Sequence, residues 1–188
     1  DKGIKTINNF FNKEFSSSIK KKYGQFDFIT SHNVLAHTEN IQEIFSSIYD
    51  ILKQDGYFCF EIGYFKEVIK YNLFDTIYHE HLDYHHAKPL VKFLQNIGFS
   101  VVDLSTNKIQ GGTLRLLLQK RKLKSKIKKV DKFIIEENKF FKKINIKNKF
   151  RNFNKTLLNL NSQIKKEIGK NKIIYAYGSP TKASLLLI

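Results

Sequence analysis

Phe26-Asp27-Phe28-Ile29-Thr30 is a short, mostly apolar run whose length and composition are typical of a buried parallel strand. Further on, Asn40 can cap a helix whose apolar residues recur three and four positions apart and form one apolar face. These residues are Ile41, Ile44, Phe45, Ile48, Ile51 and Leu52. Asp55-Gly56 ends the helix, and residues 57–62 form a second buried run. A strand, a helix and a strand in this order predict a right-handed parallel crossover.

The flanking segments extend this unit into a larger sheet. Residues 3–7 are strand-like, and residues 13–22 are polar enough for a surface helix. After a long loop, Pro89 begins a helix that ends at Gly98. Two further strands, able to pair in antiparallel fashion, are expected at residues 99–104 and 114–119. The pattern predicts an open, doubly wound α/β sheet with parallel central strands and an antiparallel pair at its C-terminal end.

The C-terminal third of the chain is helical and basic. Between residues 125 and 170 the apolar residues form two stripes with helical spacing, and the lysines occupy the other faces, as in a solvated helix surface. The stripes are Ile127, Val130, Ile134, Phe141 and Ile144, then Phe150, Phe153, Leu157, Leu160, Ile164 and Ile168. Residues 173–178 are expected to form a strand that begins a second Rossmann-like unit. We therefore expect one domain at residues 1–122, and the helical segment with the start of the next domain at residues 123–188.

The net charge of +16 comes mainly from this helical segment. Residues 120–172 hold 19 of the 33 Lys and Arg residues but 4 of the 17 Asp and Glu residues. Lysine outnumbers arginine 30 to 3, although arginine is the usual residue for bidentate contacts to phosphates and bases. We therefore do not expect nucleic acid as a partner.

Cysteine content and hydropathy indicate the compartment. Cys59 is the single cysteine, which excludes a disulfide within the chain and a cysteine-based zinc cluster. No stretch approaches the roughly 20 apolar residues that span a bilayer, and the first residues lack a signal-peptide core. We expect a cytoplasmic protein, in a reducing compartment, with no membrane partner. The lack of an initiator methionine and the apolar run that stops at Ile188 also suggest that both ends are cuts in a longer chain.

The histidines follow two neighbouring strands of the predicted sheet. His32 and His37 come after the first buried run, whereas the other four lie in the loop after residues 57–62, at His79, His81, His85 and His86. In an open α/β sheet both segments emerge at the carboxyl ends of adjacent strands, where ligands bind. We therefore expect His37 and His81 to converge on one cavity.

The block Tyr78-His79-Glu80-His81 allows three interpretations. It is a polar loop with surface histidines, a zinc site that uses His81, His85 and Asp83, or a proton-transfer site. The zinc site lacks a diagnostic spacing, and no metal is expected. Proton transfer suits histidine, because its unperturbed pKa lies near neutrality. Tyr78 or His37 can then donate a hydrogen bond to a developing oxyanion.

Five blocks resemble one known family. They are Gly3-Ile4-x-Thr6-Ile7-x-x-Phe10-Phe11, Asn33-Val34-Leu35-Ala36-His37, Phe74-Asp75-Thr76-Ile77-Tyr78-His79-Glu80-His81, Gly111-Gly112-Thr113-Leu114-Arg115 and Tyr177-Gly178-Ser179-Pro180-Thr181-Lys182-Ala183. Together, and end to end, they resemble the sugar C-methyltransferases of deoxysugar pathways. That family has an N-terminal zinc-binding domain, a central S-adenosylmethionine domain and a C-terminal Rossmann-like domain. The resemblance implies S-adenosylmethionine-dependent methyl transfer to a carbon of a nucleotide-linked keto-deoxysugar, on the methyltransferase variant of the doubly wound fold.

The resemblance also implies roles for particular residues. His81 matches the family's general base. The residues that match groups lining the keto sugar are Tyr78, Glu80 and His37. The residues expected to border S-adenosylmethionine are Asn33, Val34 and Phe10. Two departures concern the substrate: Gln110 stands where the family commonly has histidine, and Ser179-Pro180-Thr181 replaces an alanine-containing turn.

The chain lacks two parts of the family's cofactor site, the glycine-rich turn and the acidic residue that grips the ribose. We expect both upstream of Asp1, and we expect this chain alone to be inactive. Two alternatives stay open from the sequence: a methyltransferase that acts on oxygen, nitrogen or RNA, and a basic module that binds polyanions through residues 120–172. An oxygen or nitrogen acceptor needs no carbon-acid base, so it leaves the block from Tyr78 to His81 unexplained.

Overall fold

The computed structural model describes residues 3–73, 76–121 and 127–169. Within these ranges the chain forms four strands and six α-helices. The strands are β1 Phe26–His32, β2 Leu52–Gly63, β3 Ser100–Asn107 and β4 Thr113–Gln119. The helices are α1 Lys13–Tyr23, α2 Ile41–Ile51, α3 Phe65–Tyr71, α4 Ala87–Ile97, α5 Lys128–Lys143 and α6 Ile146–Ile168. Two short 3₁₀ turns, Leu35–His37 and Ile109–Gly111, lie beside the sheet.

The four strands form one mixed sheet in the order β1-β2-β4-β3. β1 and β2 are parallel and are joined through α2, which confirms the predicted crossover. β4 lies between β2 and β3 and is antiparallel to both, so the predicted antiparallel pair is confirmed as well. The predicted α/β class is therefore correct, and the carboxyl ends of β1 and β2 meet at one edge of the sheet.

Helix α2 forms because its cap and its apolar face agree. The Asn40 side chain accepts a hydrogen bond from the Glu43 backbone N–H at 3.1 Å, which satisfies one of the free donors of the first turn. Phe45 and Ile48, on the apolar face, are buried against the sheet. Burial of one such side chain stabilises the fold by about 1.5–3 kcal/mol. The sheet contributes Phe58, Phe60, Ile62, Leu114, Leu116 and Leu118 to the same core.

The structure differs from the sequence-based expectations in several places. Asp55 and Gly56 were expected to end the helix, but α2 ends at Ile51 and both residues lie inside β2. β1 was expected to be buried, but it lies at the edge of the described sheet, has no buried residue, and leaves Phe28 56% exposed. Residues 3–7, predicted as a strand, have no regular structure, and their large side chains Ile4 and Ile7 are exposed. No other strand of the described residues pairs with them, so their apolar character has nothing to pack against. Conversely, the loop expected after β2 begins with α3, whose Val68 and Ile69 are buried. Seven residues are too few for a helical period to be recognised in the sequence.

The lysine-rich segment forms two helices, as predicted. α5 packs on α4 and β3 and buries Val130 and Glu137. α6 has no buried residue, although Phe153 packs against the small cluster around Val68 and Ile69. The strand predicted at residues 173–178 lies outside the described residues.

Candidate active site

A cleft of about 400 Å³ opens at the carboxyl ends of β1 and β2. Its walls come from three segments around the end of β2 and the start of α3, which also line it: the turn after β1, the loop between α3 and α4, and the turn before β4. The polar residues that line it are Asn33, His37, Thr76, Tyr78, His81, Asp83, Tyr84, Gln110 and Thr113. Tyr64, Phe65, Val68 and Leu73 supply apolar surface. A largely apolar cleft with a few convergent polar groups is typical of a small-molecule site.

Backbone hydrogen bonds hold the three walls together. The Leu82 N–H donates to the Ala36 carbonyl at 2.9 Å. The loop between α3 and α4, called the histidine loop below, is therefore tied to the turn after β1. The Phe65 N–H donates to the His85 carbonyl at 2.9 Å, and the Tyr64 N–H donates to the Gly112 carbonyl at 3.2 Å. The wall segments are therefore anchored on the end of β2.

His81 is held in one orientation inside the cleft. Its Nδ1 lies 2.8 Å from the Thr76 carbonyl oxygen, and its Nε2 lies 3.3 Å from the Tyr78 hydroxyl. A carbonyl oxygen can only accept, so Nδ1 carries the proton and, in the neutral ring, Nε2 holds the free lone pair. The Tyr78 hydroxyl donates to that lone pair, and the two rings are 4.4 Å apart.

His37 reaches the same cleft from the other strand. Its ring centroid lies 4.9 Å from that of His81, so the predicted convergence of the two histidines is confirmed. The His37 Nδ1 donates to the Glu80 carbonyl oxygen at 2.8 Å. Its Nε2 is therefore the nitrogen left to act on a ligand, as an acceptor in the neutral ring and as a donor when the ring is protonated.

The remaining predicted site residues are placed differently. Asn33 lines the cleft and has a left-handed backbone, with φ of 51°. Glu80 contributes its carbonyl to His37, while its carboxylate lies outside the cleft lining, 4.0 Å from His79 Nε2. Val34 and Phe10 are 56% and 89% exposed, and neither lines the cleft. The structure thus brings together His81, Tyr78, His37 and Asn33, and leaves out the side chains of Glu80, Val34 and Phe10.

The sequence analysis missed a charged cluster beside the cleft. Glu61 on β2 is buried, and its carboxylate accepts from Arg115 on β4 and lies 3.5 Å from His32 Nδ1 on β1. Asn107 also donates to it at 3.0 Å. Burial acts to raise the pKa of Glu61, but the hydrogen bond and charge of Arg115, with a contribution from His32, outweigh it and lower the pKa. Glu61 therefore stays ionised and ties four strands together beside Asn33, whose N–H donates to the Glu61 carbonyl.

Glu137 is a second residue that the sequence analysis missed. Its carboxylate is fully buried and accepts from the Tyr64 hydroxyl, the His86 ring and two backbone N–H groups of α4. Burial raises the pKa of Tyr64 strongly, and the charge of Glu137 raises it further. No sequence signal identifies Glu137, because it is one charged residue among many on an amphipathic helix.

Within residues 3–73, 76–121 and 127–169, no group of three or more His, Cys, Asp or Glu side chains is arranged to hold a metal ion. In the same ranges, no helix combines the length and the apolar character needed to cross a bilayer.

Two protein families match the chain. A methyltransferase domain matches residues 1–104, and a C-methyltransferase C-terminal domain matches residues 108–188. The chain therefore belongs to the methyltransferases, with its cleft at the edge of the sheet where such a fold binds ligands. The second match, over the C-terminal part of the chain, is to a domain of C-methyltransferases, the kind of enzyme that the sequence blocks resemble. The two family matches meet between residues 104 and 108, whereas the sequence pattern places the domain boundary at residue 122. The boundary at residue 122 stays a prediction.

One curated relative and several solved structures are similar to the chain. C-methyltransferase NovU of Streptomyces niveus is 28% identical over 192 residues, which cover 100% of this chain and 45% of that protein. The chain thus spans less than half the length of this relative. N-methyltransferase NodS of Bradyrhizobium japonicum, solved with S-adenosyl-L-homocysteine, aligns with a TM-score of 0.38 at 12% identity, over 52% of this chain and 47% of that one. Magnesium protoporphyrin IX methyltransferase of Synechocystis aligns with a TM-score of 0.41 at 13% identity, over 52% and 46%. Similarity at this level says nothing about substrate.

Proposed function

We propose that the protein transfers a methyl group from S-adenosylmethionine to a carbon atom of a nucleotide-linked keto sugar, with His81 as the base. The observation that carries the proposal is the fixed tautomer of His81, whose Nε2 lone pair lies inside the cleft beside Tyr78 and His37. A methyltransferase that acts on carbon needs such a base, because carbon becomes a nucleophile only after it loses a proton. The family match and the identity to a C-methyltransferase support this choice.

The cleft residues provide a path for the proton and for the negative charge. Nε2 of His81 takes the proton from the carbon next to the sugar carbonyl, and the electron pair of the C–H bond forms an enolate. The Tyr78 hydroxyl turns from Nε2 to the enolate oxygen, and His37 Nε2, when it carries a proton, donates to the same oxygen. The enolate carbon then forms a bond to the transferred methyl group as the methyl–sulfur bond breaks. The proton stays on His81 until it is lost to solvent.

One of the three residues expected to border the cofactor lines the cleft. S-adenosylmethionine supplies an electrophilic methyl group on a positively charged sulfur, so the protein has mainly to bind, orient and exclude water. Asn33 lies at the end of β1 and lines the cleft, where its amide can accept or donate a hydrogen bond to the cofactor. Val34 and Phe10 are exposed and do not line the cleft, and their place beside the cofactor stays a prediction.

Deuterium wash-out tests this proposal in the full-length protein. A keto-sugar nucleotide is incubated in heavy water with an inert analogue of the cofactor, and hydrogen exchange at the carbon next to the carbonyl is followed by NMR. We expect exchange with the wild-type protein and a loss of about 100- to 10,000-fold in His81→Asn, with cofactor affinity unchanged. Asparagine keeps hydrogen bonding but cannot accept a proton at neutral pH.

His79→Asn is the matched control. His79 belongs to the same loop, but its side chain is 81% exposed and lies outside the cleft, so wash-out and methyl transfer should stay near wild type. Wash-out that survives in His81→Asn but disappears in a Tyr78 or His37 variant would show that another group is the base. If the wild-type protein washes out no deuterium from any keto-sugar nucleotide, the proposed reaction is wrong.

We also propose that the reaction takes place in the cytoplasm, in a protein that needs no nucleic-acid partner. Cys59 has no possible disulfide partner in the chain, in keeping with a reducing compartment. The lysines of α5 and α6 lie mostly on exposed helix faces, and the acidic Asp103 pairs with one of them, Lys129.

A further inference from the structure

The buried carboxylate of Glu137 occupies the N-terminus of a helix to which it does not belong. Oε2 accepts from the Ala87 N–H at 2.6 Å, and Oε1 accepts from the Lys88 N–H at 3.0 Å, both in the first turn of α4. The local cap residue, His86, makes no side-chain cap of its own. A helix that starts inside the protein needs acceptors for its free N–H groups, and an anionic acceptor there is favoured by the helix dipole.

The same carboxylate binds the end of β2 and the end of the histidine loop. The Tyr64 hydroxyl donates to Oε2 at 2.8 Å, and His86 Nδ1 donates to Oε1 at 3.2 Å. All four donors thus meet one side chain that is 0% exposed. Glu137 therefore joins α5, α4 and β2 at one point behind the cleft.

The contact between Glu137 and His86 belongs to one of two anchors that hold the cleft wall formed by the residues after His81 in the sequence. The first anchor is the Leu82 N–H on the Ala36 carbonyl, directly after His81. The second consists of two hydrogen bonds. The Phe65 N–H donates to the His85 carbonyl, and the His86 ring donates to the Glu137 carboxylate. Asp83 and Tyr84 lie between the anchors, and both line the cleft. Loss of the Glu137 contact removes the His86 part of the second anchor and loosens this wall, while the His85 carbonyl bond to Phe65 and the bond that orients His81 remain.

We propose that Glu137 is a positioning residue that sets the wall formed by Asp83 and Tyr84, and thereby the affinity for the sugar substrate. The proposal rests on the proposed function only in taking this cleft as the sugar site. Glu137 does not touch the cleft and acts through His86, Tyr64 and the start of α4. The Thr76 carbonyl, which orients His81, precedes His81 in the sequence and is not part of the wall formed by Asp83 and Tyr84. Proton abstraction at saturating substrate is therefore not affected.

Glu137→Gln in the full-length protein tests this role. The glutamine side chain has the same shape, but one of its two terminal groups is an NH₂ donor. Where the carboxylate accepted a hydrogen bond from an N–H of α4 or from the Tyr64 hydroxyl, this NH₂ now faces another donor. At least one buried donor is therefore left without an acceptor. We expect the KM for the keto-sugar nucleotide to rise about 10-fold or more, with kcat and cofactor affinity within about 3-fold of wild type. Backbone hydrogen exchange should also become faster across residues 83–88.

Two control variants separate positioning from a loss of stability. Glu136→Gln makes the same chemical change one position away on the exposed face of α5 and should leave KM unchanged. Val130→Ala removes buried apolar contacts of the same helix without touching the cap, and it should lower the melting temperature while KM stays near wild type. If Glu137→Gln is too unstable to assay, Glu137→Asp keeps the charge at a shorter reach, and a smaller rise of KM is expected.

The result decides between the two roles. A KM that rises equally in Val130→Ala and Glu137→Gln, or an unchanged KM in Glu137→Gln or in the aspartate variant, would show that Glu137 only stabilises the fold. If the wild-type protein washes out no deuterium, the proposed function is contradicted, whatever the Glu137 variants do.

Discussion

The Nδ1 of His81 lies 2.8 Å from the carbonyl oxygen of Thr76, and this bond determines which nitrogen of the ring can act as a base. The carbonyl belongs to the backbone of the same loop, so it has no protonation state of its own and orients the ring at any pH. His37 is oriented in the same way by the Glu80 carbonyl. Two imidazoles thus present Nε2 to one cleft, and both depend on the loop backbone rather than on an acidic partner.

Tyr78→Phe should lower the rate of methyl transfer more than it changes substrate binding. The hydroxyl is the donor closest to His81 Nε2, and we assign it to the enolate oxygen. Loss of one such donor typically costs about 100- to 1,000-fold in kcat. The measurement is single-turnover methyl transfer together with deuterium wash-out, and both should fall in parallel.

Tyr71→Phe serves as the control for that substitution. Tyr71 ends α3 outside the cleft, so the same loss of a hydroxyl should change neither rate. A Tyr78→Phe variant with normal wash-out and slow methyl transfer would mean that Tyr78 orients the methyl donor and does not stabilise the enolate.

The fold was predictable wherever local sequence agrees with packing. Asn40, the apolar spacing of α2 and the two apolar runs specify the crossover, and α4 ends at Gly98 as expected. The convergence of His37 and His81 followed from the topology, because parallel strands end at the same edge. Glu137 and Glu61 could not be found this way. Their roles depend on contacts between residues that are far apart in the sequence. Ala87 and Glu137 are 50 positions apart, and Glu61 and Arg115 are 54 positions apart.

Glu61 should make the protein's stability depend on pH in the acid range. Its pKa is lowered in the folded state from the ordinary value of 4.5, so the carboxylate stabilises the fold above pH 4.5. This contribution is lost as the pH falls through the lower folded pKa, because the unfolded chain binds the proton more readily. Glu61→Gln should therefore cost about 2 kcal/mol of unfolding free energy at pH 7, and progressively less as the pH falls below 4.5. Urea denaturation at several pH values measures this, with the exposed Glu39→Gln as control. A cost that does not vary with pH would contradict the assignment.

Gly112 should not tolerate a side chain. Its φ of 122° disfavours any other residue, and a Cβ would lie 2.8 Å from the Cβ and Cγ of Glu67. We expect Gly112→Ala to cost about 1–3 kcal/mol, or a fall of several degrees in melting temperature. Gly63→Ala is the matched control, since Gly63 also lines the cleft but has nothing within 4 Å of an added Cβ. Equal melting temperatures for the two variants would show that the turn before β4 can relax.

The lysine-rich helix α5 should be among the well-protected parts of the protein in hydrogen exchange. Val130 is 5% exposed and packs with the main core, Phe133 and Ile134 pack against that core, and Glu137 is fully buried behind α4. A cationic tail that awaits a polyanion has no such contacts, and its amides exchange at the rate of an unfolded chain. We therefore expect amides between residues 131 and 141 to exchange on the timescale of the sheet residues around Leu116. High salt should leave this pattern unchanged, because apolar burial and a buried carboxylate hold the helix, whereas attraction between exposed charges is screened. Fast, uniform exchange across α5, or protection that appears only when a polyanion is added, would favour the basic binding module over the packed helix.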